Sequence, residues 1–152
     1  MQLDTITELL QIPGYKVRHM VSCTGNRIEL LLEREGERAR VCSGCGKVHT
    51  TAVHSEGSVL LEDLPIRGKR VYLHVPKRKA VCPEDGSIRV EELKWVRGRF
   101  TKRFADQVYR LTAITTNKEA GWFLGIDDET VYRLDKGMLE ELALEKIEKV
   151  KA

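Results

Sequence analysis

The segment from Asn117 to Lys136, NKEAGWFLGIDDETVYRLDK, admits few folds. Ala120, Leu124, Ile126, Val131 and Leu134 recur at the spacing that two helices need where they face each other across a sharp turn. Gly121 stands where the two backbones must approach, Gly125 suits a left-handed helix end, and Asp127 suits the cap of the next helix. The spacing predicts a helix-turn-helix. In such a unit Thr130, Arg133 and Lys136 point outward from the second helix, toward a DNA groove or its phosphates. Two packed helices with no nucleic acid nearby are the plainer alternative.

The remaining sequence can supply a core for this unit and for one more. With 152 residues, 41% of them apolar, the chain is of globular composition and long enough for one good core or two small ones. No apolar run approaches the roughly 20 residues that span a bilayer, and the start lacks a basic segment followed by a hydrophobic one. The expectation is a soluble, cytoplasmic protein with no membrane partner. Its charge is unevenly placed: residues 65–110 hold 13 basic and 5 acidic side chains, between two flanks that are each mildly acidic. That surplus would attract a polyanion, whereas a solvated basic face with no partner is the alternative.

Taken in order, the chain opens with Thr5 and Glu8 at capping-box spacing, and Ile6, Leu9 and Leu10 share a side of a short helix stopped by Pro13-Gly14. Alternation begins at Tyr15 and sets Tyr15, Val17, His19, Val21 and Cys23 on one face; with Arg27 to Arg34 it predicts a hairpin around Gly25-Asn26. The polar EGER stretch at 35–38 predicts a turn, followed by a strand over 38–41. Further strands are expected at Val59 to Leu61, Val71 to Val75 and Ile88 to Leu93, with a turn over Leu64 to Gly68. Trp95 to Phe100 reads as a basic link, and Thr101 caps a helix carrying Phe104, Val108, Leu111 and Ile114. The last helix runs past Lys136 with Leu139, Leu142, Ile147 and Val150, longer than a three-helix core can cover.

Cys42-Ser43-Gly44-Cys45-Gly46 has the two-residue spacing and trailing glycine of a zinc knuckle, in which backbone amides point at two thiolates. A structural zinc ion takes four ligands, and the second half-site is expected at Cys82-Pro83-Glu84-Asp85-Gly86, 36 residues further on. There Asp85 holds the place of a second cysteine, so the expected ligands are Cys42, Cys45, Cys82 and Asp85. His49, His54, His74 and Cys23 compete for the fourth place. Each histidine reads better singly as an ordinary strand or loop residue, and Cys23 as a buried core thiol. Loss of the metal is a further alternative, and disulfide pairing is a weaker one in a chain expected in the cytosol.

The chain resembles the N-terminal region of insertion-sequence transposases of the ISL-three family over nearly its whole length. The resemblance is carried by IPGYKV, ERARVCSGCGKVH, DLPIRGKRVYLHV, CPEDG and RFTKRFADQVYRLTAITTNKEAGWFLGIDDETVYRLDK. It implies a zinc-binding domain and a helix-turn-helix ahead of a catalytic domain whose carboxylates hold two metal ions, with Cys42, Cys45 and Cys82 in ligand positions. Asp85 departs from the family's usual thiolate or histidine. The chain also ends about where the catalytic domain should start, and the adjacent Asp127, Asp128 and Glu129 cannot converge on a metal pair.

The expected protein is therefore of the α+β class. A small antiparallel zinc-ribbon-like β domain with a short N-terminal helix occupies residues 1–95, and a three-helix helix-turn-helix domain with an extended C-terminal helix occupies 96–152. It is expected to bind Zn2+ and double-stranded DNA and to catalyse nothing. Arg67, Lys69, Arg70, Lys77, Arg78, Lys79, Arg97, Arg99, Lys102 and Arg103 would grip phosphates, while Thr130, Arg133 and Lys136 would face the groove. The alternatives are a zinc-stabilised protein-interaction module, with a homodimer formed through the C-terminal helix, and a small regulator derived from a transposase.

Overall fold

The computed structural model describes residues 2–36, 40–50 and 52–152; Glu37 and Arg38 of the expected turn lie outside them. Its central element is a long hairpin, β5 (Val53–Ile66) and β6 (Lys69–Val81), closed by Arg67 at φ 52° and Gly68 at φ 75°. Two left-handed residues in succession make the primed turn whose twist matches that of the strands. The expected turn over Leu64 to Gly68 thus shrinks to two residues, and Pro65 stays within β5 at an irregularity in the ladder. Val71, Leu73 and Val75 alternate along β6 and are wholly buried, as a period of two with one covered face requires.

Along one edge β6 pairs with β5, and its other edge is divided. The first half runs parallel to β2 (Arg27–Arg34), from Arg27↔Arg70 to Leu31↔His74, and the far end pairs antiparallel with β7 (Ile88–Glu92). The sheet is consequently mixed, which corrects the expectation of an antiparallel one. β1 (Tyr15–Thr24) completes a hairpin with β2 across Gly25-Asn26. Register shifts after Val17 and after Met20 break its alternation: Tyr15 and Val17 are buried, whereas Val21 and Cys23 are exposed. The reading of Cys23 as a core thiol is therefore corrected.

Helix α1 (Leu3–Leu10) covers this sheet with Ile6 and Leu10, which join Tyr15, Leu30 and Leu73 in the first core. Gln2 holds its N-cap without a side-chain bond, so Thr5 lies inside the helix rather than capping it, and Leu9 is exposed. Thr7 ties the helix to β1 instead, its hydroxyl accepting from the Val17 amide at 2.9 Å.

The expected basic link is itself sheet. β8 (Val96–Arg97) and β9 (Phe100–Thr101) form a tight hairpin, and Phe100 pairs in parallel with Glu62 of β5. Thr101 then caps α2 (Lys102–Thr112), accepting from the Phe104 amide at 3.3 Å. Helices α3 (Asn117–Leu124) and α4 (Asp128–Lys151) follow. Thr116 and Glu119 make a full capping box on α3, Gly125 closes it at φ 74°, and Asp127 caps α4 by accepting from the Thr130 amide at 2.8 Å. Phe100, Phe104, Val108, Ala120, Leu124 and Val131 fill a second core, in which Phe100 and Phe104 stack with ring centroids 4.8 Å apart. Among the described residues no helix is long and apolar enough to cross a membrane.

At the turn between α3 and α4, a Cβ on Gly121 would lie 2.5 Å from the Ile126 carbonyl oxygen. That contact is with backbone, so it cannot be relieved by moving a side chain. Gly121→Ala is expected to lower stability by about 1–3 kcal/mol even though alanine is the better helix former. Leu73→Ala, which opens a cavity in the first core, is expected to cost about 2–5 kcal/mol. Urea denaturation of both variants checks these values; a Gly121→Ala protein as stable as the parent would refute the close crossing.

Candidate metal centre and nucleic-acid interface

The two cysteine segments fold alike. In each, the first cysteine's carbonyl accepts from the amide of a glycine four residues on, Gly46 to Cys42 at 2.9 Å and Gly86 to Cys82 at 2.8 Å. In each, that cysteine's own amide donates to the carbonyl one residue later, Lys47 or Ser87. Both glycines sit at φ 71°, where a side chain would be strained. The first knuckle is carried by β3 (Arg40–Cys42) and β4 (Val48–His49), the second by the β6 to β7 connection. Pairing of β3 with β7, Cys42 opposite Glu91, brings the knuckles face to face.

Four ligand atoms gather there: the sulfurs of Cys42, Cys45 and Cys82 and a ring nitrogen of His49, all within 4.8 Å of one another. His49 Nε2 lies 2.9 Å from Cys45 Sγ and 3.9 Å from Cys82 Sγ. A tetrahedral zinc ion with bonds of about 2.0–2.3 Å sets its ligands between 3 and 4 Å apart, so the cluster needs only small adjustments to accept one. Three thiolates and one imidazole form a closed, structural donor set. Cys42 is predisposed to ionise: amides of Cys45 and Gly44 point at its sulfur and lower its pKa, the latter at 3.4 Å. Burial instead raises that of Cys82.

The fourth member differs from the expected one. Asp85 is absent from the cluster because its carboxylate serves the second knuckle: Oδ1 accepts from the Ser87 amide and hydroxyl at 2.9 and 2.6 Å, and Oδ2 from Arg89 at 2.8 Å. The Ser87 hydroxyl above all, with Arg89, holds this carboxyl well below the usual carboxylate range. Arg89 also lies against Gly44, and Lys47 reaches Glu84 at 2.8 Å, so two side-chain bridges span the knuckles besides the metal ligands. His49 could have been found in the sequence: a hairpin turning at the first knuckle returns its partner strand to the cysteines four residues after Cys45.

The basic residues do not form one patch. Arg67, Lys69 and Arg70 lie at the start of β6, and Lys77, Arg78 and Lys79 follow about 25–30 Å along it, beside β7. Several are engaged within the chain. Arg70 donates to both oxygens of Glu62, at 2.7 and 2.9 Å, while Arg78 donates to Glu56 at 2.7 Å and Arg103 to Asp63 at 2.7 Å. Arg97 and Lys102 both meet Glu141 of α4. On α4, Arg133 and Lys136 are exposed as expected, but Thr130 is buried and bonded to Asp127 at 2.8 Å, which corrects its outward placement. Trp122 and Phe123, which the sequence reading passed over, are exposed on α3.

Comparison with known proteins agrees with this geometry. Residues 38–85, which span both knuckles, match the family described as the zinc-finger of transposase IS204/IS1001/IS1096/IS1165. A curated relative, the transposase for insertion sequence element IS1001 of Bordetella parapertussis, is 34% identical over 109 residues. The chain belongs to the ISL-three family of transposases. The matched region is 67% of this chain and 25% of that relative, so the chain spans about a quarter of the length of the curated relative it matches. No solved structure matches it. Zinc is the family's metal at these knuckles, and the chain binds it.

With four donors from two knuckles, zinc ties β3 and β4 to the distant end of β6, and its binding energy is folding energy for that end of the sheet. His49→Ala and Cys82→Ser are each expected to reduce bound zinc from about one ion per chain to a small fraction, whereas Asp85→Asn retains it. Elemental analysis of protein purified without chelator measures this. Retention by His49→Ala together with loss by Asp85→Asn would restore the carboxylate to the ligand set.

Proposed function

We propose that the chain is a DNA-binding module of transposase type, made of a zinc-ribbon-like unit in residues 1–95 and a helix-turn-helix unit in 96–152. The observation that carries the reading is the packing of α3 on α4 through Gly121, Leu124 and Val131, which leaves Arg133 and Lys136 exposed on the outer side of α4 in a chain of transposase kinship. In this reading Cys42, Cys45, His49 and Cys82 hold the zinc ion, and Arg133 reads a base edge. Asp128 and Glu129 at the start of α4 repel phosphates, so much of the affinity must come from basic side chains elsewhere.

Those side chains are best placed at the two ends of β6. Lys77 and Lys79 lie near the zinc end, and Arg67, Lys69 and Arg99 near the helices; their separation along β6, about 30 Å, is a little under one turn of duplex, about 34–36 Å. One duplex can thus meet both groups. Arg70 and Arg103 are reassigned from phosphate contacts to internal struts. Leu139, Leu144, Ile147 and Val150 remain exposed on α4, and the protein-interaction alternative would use them.

Binding to duplex DNA is expected to weaken steeply with salt, with a slope of log affinity on log salt of about 0.9 per phosphate neutralised. Replacing Lys77 and Lys79 by Ala should weaken all sequences alike and flatten that slope. Arg133→Ala should cost about 1–3 kcal/mol on a selected site and much less elsewhere. Binding indifferent to salt would favour the protein-interaction alternative. The reading also assigns no catalysis to these residues, since Asp127 is committed to capping and the neighbouring acids lie on one helical turn. Strand cleavage by the purified chain with magnesium or manganese would contradict it.

A further inference from the structure

Gly137 lies in the interior of the 24-residue α4, where glycine is among the least favourable residues. At Gly121 the chain's own backbone demands the missing side chain, but a Cβ on Gly137 would meet no atom within 4 Å. Nothing among the described residues explains it. The glycine lines an open groove of about 540 Å3 between α4 and the β8–β9 hairpin, floored in part by Phe100 and Leu134. Three guanidinium groups border the same groove: Arg97 and Arg99 from the hairpin and Arg133 from α4.

Their charges are differently balanced. Arg99 lies over the Phe100 ring and Arg133 reaches the Thr130 hydroxyl at 3.3 Å, and neither forms an ion pair among the described residues. Arg97 is paired with Glu141, one helical turn beyond Gly137, and Lys102 lies 3.7 Å from the same carboxylate. The groove therefore offers two unpaired planar forks and a third held by an acid of the chain itself. Such forks fit phosphate oxygens, and a bare stretch of helix lets a bulky backbone come close.

We propose that this groove seats the sugar–phosphate backbone of a DNA duplex, with Arg97 and Arg99 on its phosphates, Arg133 at the groove's border reaching past them to a base edge, Gly137 at the closest approach, and Glu141 as the internal anion that the DNA displaces. The inference rests on the DNA-binding reading above and adds to it a strand-gripping role for the hairpin and a built-in competitor. Because phosphate contacts carry no sequence information, Arg97 and Arg99 act on every duplex equally.

The test is equilibrium binding of the full chain, zinc-loaded, to a fluorescent duplex of random sequence at low salt. Gly137→Leu should raise the melting temperature, since leucine is a far better helix former and its Cβ meets no atom within 4 Å, yet weaken binding about tenfold or more. Glu141→Gln should tighten binding at least about threefold, and Glu145→Gln, the same charge change one turn further on, by much less. The gain should vanish when Arg97 and Lys102 are both alanine. A Gly137→Leu protein that binds like the parent, or equal gains from Glu141→Gln and Glu145→Gln, would overturn the proposal while leaving the DNA-binding reading intact. Failure of the parent chain to bind duplex at low salt would overturn both.

Discussion

One buried carboxylate holds the architecture together. Asp63 is 2% exposed, and a charge so enclosed persists only when its oxygens are fully engaged. Oδ1 accepts from the Thr101 hydroxyl and from Arg103 Nε, both at 2.7 Å, and Oδ2 from the other arm of the same guanidinium. Arg103 donates in addition to the Leu10 carbonyl at the end of α1. Four elements thus meet in one network: β5 with Asp63, β9 with Thr101, α2 with Arg103, and α1, whose Leu10 carbonyl Arg103 reaches. The first core and the helical core are built by different residues, and this network fixes one against the other. Removing either partner would strand an uncompensated charge, which makes the joint costly to loosen.

A second strut stands beside the first. Glu62, next to Asp63 on β5, is buried and grips Arg70 in a bidentate pair, and the aliphatic stem of Arg70 passes within 4 Å of the space above Gly125 at the turn between α3 and α4. A charge count along the sequence cannot distinguish such an arginine from one aimed at a phosphate. The difference is made by neighbours that the fold supplies, Glu62 across the β5–β6 hairpin for Arg70 and Asp63, 40 residues away, for Arg103. The basic middle of the chain therefore divides between holding the fold and facing solvent.

The same contrast explains what was legible in the sequence. Local chemistry survived: Thr101 and Asp127 as caps, Gly125 as the left-handed helix end, and the alternation of Val71, Leu73 and Val75 all depend on near neighbours or on period alone. What needed a partner from elsewhere did not. The β1 alternation failed after Val17 because register shifts against β2 turned the later side chains. Local signals were also incomplete: Thr5 lies inside α1 rather than at its cap, and Thr130, outward by helical phase, turns its hydroxyl back to Asp127 three residues before it. Two parallel pairings, β2 with β6 and β5 with β9, leave no local mark at all. In the metal cluster, three of four members followed from cysteine spacing, and the fourth depended on which of two nearby candidates the strands carried inward. β4 carries His49, while Ser87 and Arg89 hold Asp85 back.

Knuckles and helices lie toward opposite ends of β6, and each end is stiffened differently. At the knuckle end the sheet narrows to short strands with little apolar burial, so closure falls to the four metal donors, the bridge from Lys47 to Glu84, and the contact of Arg89, held by Asp85, against Gly44. At the other end the second core needs no metal, and its tightest constraint is steric. Gly121 and Gly137 make the distinction plain. Both are helical glycines at ordinary φ and both forgo helix propensity, but only Gly121 is repaid within the chain, by the approach of the Ile126 carbonyl. A glycine that folding explains marks an internal contact. One that folding leaves unexplained, in an arginine-bordered groove between α4 and the β8–β9 hairpin, marks where a contact from outside the chain would fall.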